Sequence, residues 1–278
     1  MRVAKAADTG SEAVGSMREG KLDQKHLLFG EDDSPNNYDL NMGWTGSGGW
    51  RTPRHRHNFD QIRYVIQGTL PYSETEVLKE GWVGYFPESV YYGPQERAEG
   101  LRTLVLQCGG ASGGGYLSVA RREAVNAELN EIGEFKKGKY HWTDENGEEQ
   151  VTDGSLAIFE RATGHKLEFA PPRYTDVIAM DPSAYDWLEK GEGLSEKWLG
   201  SFTERNLKIG FVRLEPGAVF EAGVQPSIEI LFQVDGEVVV AGEKHGAETG
   251  YEFLANEGPV PIEAVQPTVF LRAVLHQF

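Results

Sequence analysis

Residues 49–68 read GWRTPRHRHNFDQIRYVIQG. The fixed points of this stretch are Gly49, His55, His57, Gln61 and Gly68, separated by five, one, three and six residues. The same frame returns at Gly217, Gly223, Gln225, Glu229 and Gly236, at an offset of 217 − 49 = 168 residues. In each copy it ends in an apolar strand closed by glycine, QIRYVIQG at 61–68 and EILFQVDG at 229–236. A later glycine, Gly81 in one copy and Gly250 in the other, keeps nearly the same offset. Repetition at one fixed separation implies two similar structural units.

The first copy resembles the first motif of the cupin superfamily: Gly, five residues, His-x-His, three or four residues, Glu, six residues, Gly. Gln61 stands where that motif has Glu. The second cupin motif begins Gly, five residues, Pro-x-Gly, two residues, His; Gly81, Pro87, Ser89 and Tyr92 fill its frame, with Ser89 for Gly and Tyr92 for His. The C-terminal copy keeps the frame and lacks the His pair. The resemblance covers residues 40–108 and 207–275. It implies a bicupin, all-β dominant, with two jelly-roll-like barrels of which the second is degenerate. No subfamily is identified.

Working outward, residues 1–25 are small and polar and read as a flexible N-terminal arm. Residues 26–116 form the first barrel, on short β-type runs such as Ile62–Ile66, Trp82–Phe86 and Leu101–Cys108. Residues 117–206 are a mixed, partly helical linker: 118–132 has helical composition, Asn146-Gly147 marks a turn, and 181–200 reads as short helical stretches. Residues 207–278 form the second barrel.

Composition excludes several functions. The net charge of −16 comes without a long Lys/Arg run, which argues against nucleic acid and anionic lipid as partners. The single cysteine, Cys108, rules out an internal disulfide framework and a Cys-rich zinc site, and its apolar flank reads as core. No signal-peptide core or membrane-length apolar run is present, so a cytoplasmic protein is expected.

The candidate metal ligands are His55, His57, Gln61 and Tyr92. Imidazole suits Fe, Mn, Ni, Cu, Co and Zn. Two histidines two residues apart on a strand point to one face. The resemblance places Gln61 and Tyr92 at the positions of the remaining ligands. Gln offers a neutral carbonyl oxygen. A bound cation would favour the phenolate of Tyr92, replacing the negative charge that Gln61 lacks and leaning toward iron. One divalent or trivalent transition-metal ion is expected. The alternative is a polar strand end, Arg54–His57, in a barrel that has lost its metal. Arg63 lies two residues after Gln61, so alternation puts both in the barrel interior, with Ile62, Tyr64 and Ile66 opposite. There Arg63 would anchor an anionic substrate or make an internal salt bridge. Trp44, Trp50, Trp82 and Tyr85 are candidates to line a pocket mouth or fill the core. The other histidines have no partner spacing.

Three functions compete. The first is a metal-dependent cupin enzyme acting on a small organic molecule, with oxygenase chemistry ahead of isomerase, lyase or decarboxylase chemistry. The second is metal-free acid–base catalysis by a His and Tyr92, as in cupin-class sugar epimerases. The third is a non-catalytic small-molecule-binding barrel, and cupins host all three. The degenerate barrel is expected to bind no metal and to support the first barrel or build a homodimer.

Overall fold

The computed structural model describes residues 1–14, 19–114, 116–136 and 138–278. The two copies of the frame occupy matching places in two sheets. In the first sheet, strand Phe59–Gln67 lies between Val83–Phe86 and Arg102–Gly109, followed by Tyr38–Thr52 and Glu19–Phe29. In the second, Glu229–Asp235 lies between Thr249–Phe253 and Thr268–Val274, followed by Leu207–Leu214 and Leu194–Phe202. All these pairings are antiparallel.

Each sheet is completed by a strand from the other half of the chain. Ile178–Met180 adds to the first sheet beside Val83–Phe86, and Arg2–Lys5 adds to the second beside Thr249–Phe253. The segment before each barrel therefore closes its neighbour. This corrects two expectations. Residues 1–25 are not a free arm: Arg2–Lys5 and Glu19–Phe29 are strands, although 15–18 lie outside the described residues. The second sheet also begins before residue 207, because Leu188–Gly191 and Leu194–Phe202 pair and the latter joins Leu207–Leu214. Of the helical stretches expected in 181–200, only the short turn Pro182–Ala184 forms, capped by the Asp181 side chain. A four-residue strand such as Arg2–Lys5 has little stability alone, so its sequence carries little signal; the partner strand decides its conformation.

Alternation along Phe59–Gln67 fixes what each face does. Ile62 and Tyr64 enter the core between the barrels, with Leu104, Leu106, Phe211, Ile230 and Phe232. Val65 faces the interior of the first barrel with Leu70, Leu78, Phe86 and Tyr92. Burying each large apolar side chain contributes about 1.5–3 kcal/mol, so the shared core holds the two barrels together. Cys108 belongs to it, and burial pushes its thiol pKa up.

The terminal glycine of the frame is a steric requirement. Gly236 has φ +91°, and a Cβ there would lie 2.2 Å from Thr268 Oγ1 and 2.4 Å from the Pro267 carbonyl. The Gly81–Gly250 correspondence, in contrast, is coincidental. Gly81 N donates to Val65 O, and the matching bond in the second barrel is Glu248 N to Gln233 O; Gly250 lies inside a strand.

Between the barrels, helices Val119–Asn130 and Gly154–Thr163 pack on a three-stranded sheet through Val125, Leu129, Tyr140, Ala157 and Ile158. Ser118 caps the first helix, and the sheet turns at Asn146-Gly147 as expected.

Candidate functional site

The site is assembled by one backbone bridge. His55 N donates to Tyr92 O and Tyr92 N to His55 O, both at 3.0 Å, which sets the two motifs opposite each other. Pro53–Asn58 is otherwise irregular, so the His pair does not lie on a continuous strand. The imidazoles still converge, with ring centroids 4.9 Å apart; the Tyr92 ring lies 4.4 Å from His55 and 5.9 Å from His57. Ser89 N donates to His57 O at 2.7 Å, and Ser89 takes φ +67°, the conformation for which the family motif has glycine. The two histidines are half-buried, whereas Tyr92, Gln61 and Arg63 are buried behind them.

The ring of His55 is oriented by the chain. Its Nδ1 lies 2.7 Å from the Pro53 carbonyl. A carbonyl only accepts, so in the neutral ring the proton sits on Nδ1 and Nε2 is the nitrogen that could bind a metal. A ligand histidine fixed through its other nitrogen in this way is typical of metal sites. The Tyr92 hydroxyl accepts from Arg63 Nη2 at 2.8 Å and from Gln61 Nε2 at 3.4 Å. Its remaining capacity is one proton to give, or one bond to a cation if that proton has left. Two imidazoles and this oxygen thus make a donor set that fits a transition metal.

The Gln61 amide oxygen is turned toward Arg63. Its Oε1 accepts from Arg63 Nε at 2.8 Å and from Arg63 Nη2 at 2.6 Å. Arg63 can only donate, so the atom facing it must be the amide oxygen, and both its lone pairs are used. Arg63 itself points into the barrel as alternation requires, 4.3 Å above the Phe86 ring. Among the described residues it makes no internal salt bridge, and it bonds to Gln61, Gln95 and Tyr92. Gln95 and Arg97, which the motif reading missed, complete this interior. Their signal was alternation, since they are two apart on the short strand Gln95–Arg97. Of the four aromatics, Tyr85 is fully buried in the inter-barrel core and bonds Asp60, and Trp50 is buried too. His276, assigned no role, is fully buried 3.0 Å from Asp60.

The sequence matches no family model and no curated protein sequence. Among solved structures, it superposes on a candidate dioxygenase from Nostoc punctiforme over 100% of this chain and 83% of that one, with TM-score 0.63 at 13% identity. It also superposes on a variant of Bacillus subtilis oxalate decarboxylase over 99% of this chain and 77% of that one, with TM-score 0.56 at 15% identity. A third match is GK1651 from Geobacillus kaustophilus, with TM-score 0.54 at 12% identity over 99% and 95% of the two chains. The chain folds as a bicupin. At these identities the likeness is one of fold.

The second barrel of the bicupin shows what became of the same position. Glu229, the counterpart of Gln61, is fully buried and accepts from Arg272 Nε at 2.6 Å and from Gly223 N at 2.7 Å. Arg272 also bonds Glu196 at 2.6 Å. A guanidinium held by two carboxylates fills the place that a cation would need. Among the described residues of the bicupin, no three His, Cys, Asp or Glu side chains cluster as a metal site. Among the same residues, no helix is long and apolar enough to cross a membrane.

Proposed function

We propose that the first barrel is the active site of a metal-dependent enzyme acting on a small organic molecule, with oxygenase chemistry the leading reaction type. The observation that carries this reading is the convergence of His55, His57 and Tyr92 across the backbone bridge, with the His55 tautomer fixed by Pro53 O. These three residues would hold the ion. A metal there would supply a Lewis-acidic centre with open coordination positions. Iron suits a phenolate donor; manganese is the first alternative, since the oxalate decarboxylase of the same fold has Mn(II) centres. Arg63 and Gln61 hold the Tyr92 oxygen in place, and Phe86 shields the face of Arg63 from water.

A second reading rests on the Tyr92 hydroxyl. It accepts two hydrogen bonds from groups that only donate there, so its own proton is free to go to a ligand and Tyr92 can act as a general acid without metal. Elemental analysis of protein purified without chelators separates the two. One transition-metal ion per chain is expected, and none in the double variant His55→Ala/His57→Ala. Metal-free wild type, or full metal content in the double variant, overturns the metal reading.

A further inference from the structure

Asp60 lies next to Gln61 on strand Phe59–Gln67, and alternation turns it with Ile62 and Tyr64 toward the core between the barrels. It is fully buried. At the same frame position in the second barrel, 168 residues on, stands Ile228, packed against that core. A buried carboxylate is costly unless it is bonded, so its partners show what it is there for.

Asp60 has three. The Tyr85 hydroxyl donates to Oδ2 at 3.0 Å, and the backbone N–H of Glu88 donates to Oδ1 at 2.6 Å. His276 Nε2 lies 3.0 Å from Oδ2, at ion-pair distance and off the line of a hydrogen bond. Tyr85 and Glu88 belong to the first barrel, whereas His276 follows Thr268–Val274 of the second sheet. The tail that carries His276 is fastened without Asp60. Leu275 N donates to Ile228 O at 2.9 Å and Gln277 N to Arg205 O at 2.8 Å. The His276 carbonyl accepts from Ser227 Oγ at 2.7 Å and from Asn36 Nδ2 at 2.8 Å.

On its other side Asp60 holds the loop that builds the site. Ser89 follows Glu88 and donates its N–H to the His57 carbonyl at 2.7 Å, and three residues later Tyr92 bridges to His55. A pair needed only to join the barrels could be apolar, as Ile228 is. The polar version is confined to the barrel that has the His pair.

We propose that His276 is a positioning residue for the first barrel. Through Asp60 and the Glu88 amide, the C-terminal tail of the second barrel sets the loop 87–92 that orients His57 and Tyr92. The degenerate barrel thereby contributes a residue to the support of its neighbour's site. The effect on metal binding rests on the metal reading above; the setting of the loop does not.

The test compares the full-length wild type with His276→Leu, His276→Gln and the double variant Asp60→Ile/His276→Leu. Gln keeps an N–H donor near the Nε2 position. The double variant copies the apolar arrangement of the second barrel, so in urea denaturation it should regain the stability that His276→Leu loses. Two readouts follow the site itself. Amide hydrogen exchange at Ser89 and Tyr92, whose N–H groups bond His57 O and His55 O rather than Asp60, should be about tenfold faster in His276→Leu and in the double variant, and close to wild type in His276→Gln. Affinity for Co(II), titrated by its visible absorption, should fall about tenfold or more in the same two variants. A double variant with wild-type stability and wild-type exchange at Ser89 and Tyr92 would overturn the proposal and show the pair to be a joint between barrels. Unchanged exchange in His276→Leu would overturn it as well. If the wild type takes up no Co(II), the metal reading fails, and amide exchange alone decides the positioning. If the wild type binds Co(II) and both variants bind it equally well, the proposal fails and the metal reading stands.

Discussion

Gln61→Glu converts the first barrel into the arrangement of the second. The amide oxygen already sits 2.8 Å from Arg63 Nε and 2.6 Å from Arg63 Nη2, so an isosteric carboxylate meets a bidentate partner without rearrangement. With charge centres about 4 Å apart and an effective dielectric of about 20, the attraction is about 4 kcal/mol. Against it stands the desolvation of one carboxylate, several kcal/mol for an unpaired ion. Arg63 has already lost its water in the folded wild type, which leaves a net stabilisation of about 1–3 kcal/mol. At about 2 °C per kcal/mol for a chain of this size, the midpoint should rise roughly 2–6 °C. Scanning calorimetry and urea denaturation at neutral pH measure this. Destabilisation by more than about 1 kcal/mol would refute the reasoning that Arg63 lacks a counter-charge.

Tyr92→Phe should fold, since Arg63 Nη2 keeps its bond to Gln61, and should bind less than one metal per chain; an iron-loaded wild type should show a visible charge-transfer band that the variant lacks. Unchanged metal content and spectrum would remove Tyr92 from the ligand set. Arg272→Met strands the fully buried Glu229 with only Gly223 N and should cost about 3–5 kcal/mol in urea denaturation, whereas Arg272→Met/Glu229→Leu should recover most of it. A loss under about 1 kcal/mol in the single variant would show that Glu229 is not held by Arg272. The His26 pKa is raised: burial alone would lower it, but the hydrogen bond and charge of Asp39 at 2.9 Å outweigh burial. The folded state therefore binds that proton more tightly, so the stabilisation is complete below the ordinary value of 6.5 and is lost as pH rises through the raised one. The stability difference between wild type and His26→Gln should shrink from about pH 5 to about pH 8; a constant difference would sink this account.

The sequence by itself determined the repeat, the two barrels and the convergence of His55, His57 and Tyr92. Those features are written locally, in strand alternation, in glycines at positions of positive φ, and in residue spacings short enough to survive as a pattern. The inward direction of Arg63 was legible for the same reason, since alternation has a period of two along Phe59–Gln67. Only the tertiary structure decided which groups the interior brings together. It set the Gln61 oxygen against Arg63, and it added Gln95 and Arg97 from a three-residue strand with no motif of its own. It also exchanged Arg2–Lys5 and Ile178–Met180 between the sheets, because strands that short take their structure from their partners. The unpaired charge of the first barrel is a property of the same kind: it depends on which carboxylates lie within reach in space, and spacing along the chain does not encode that.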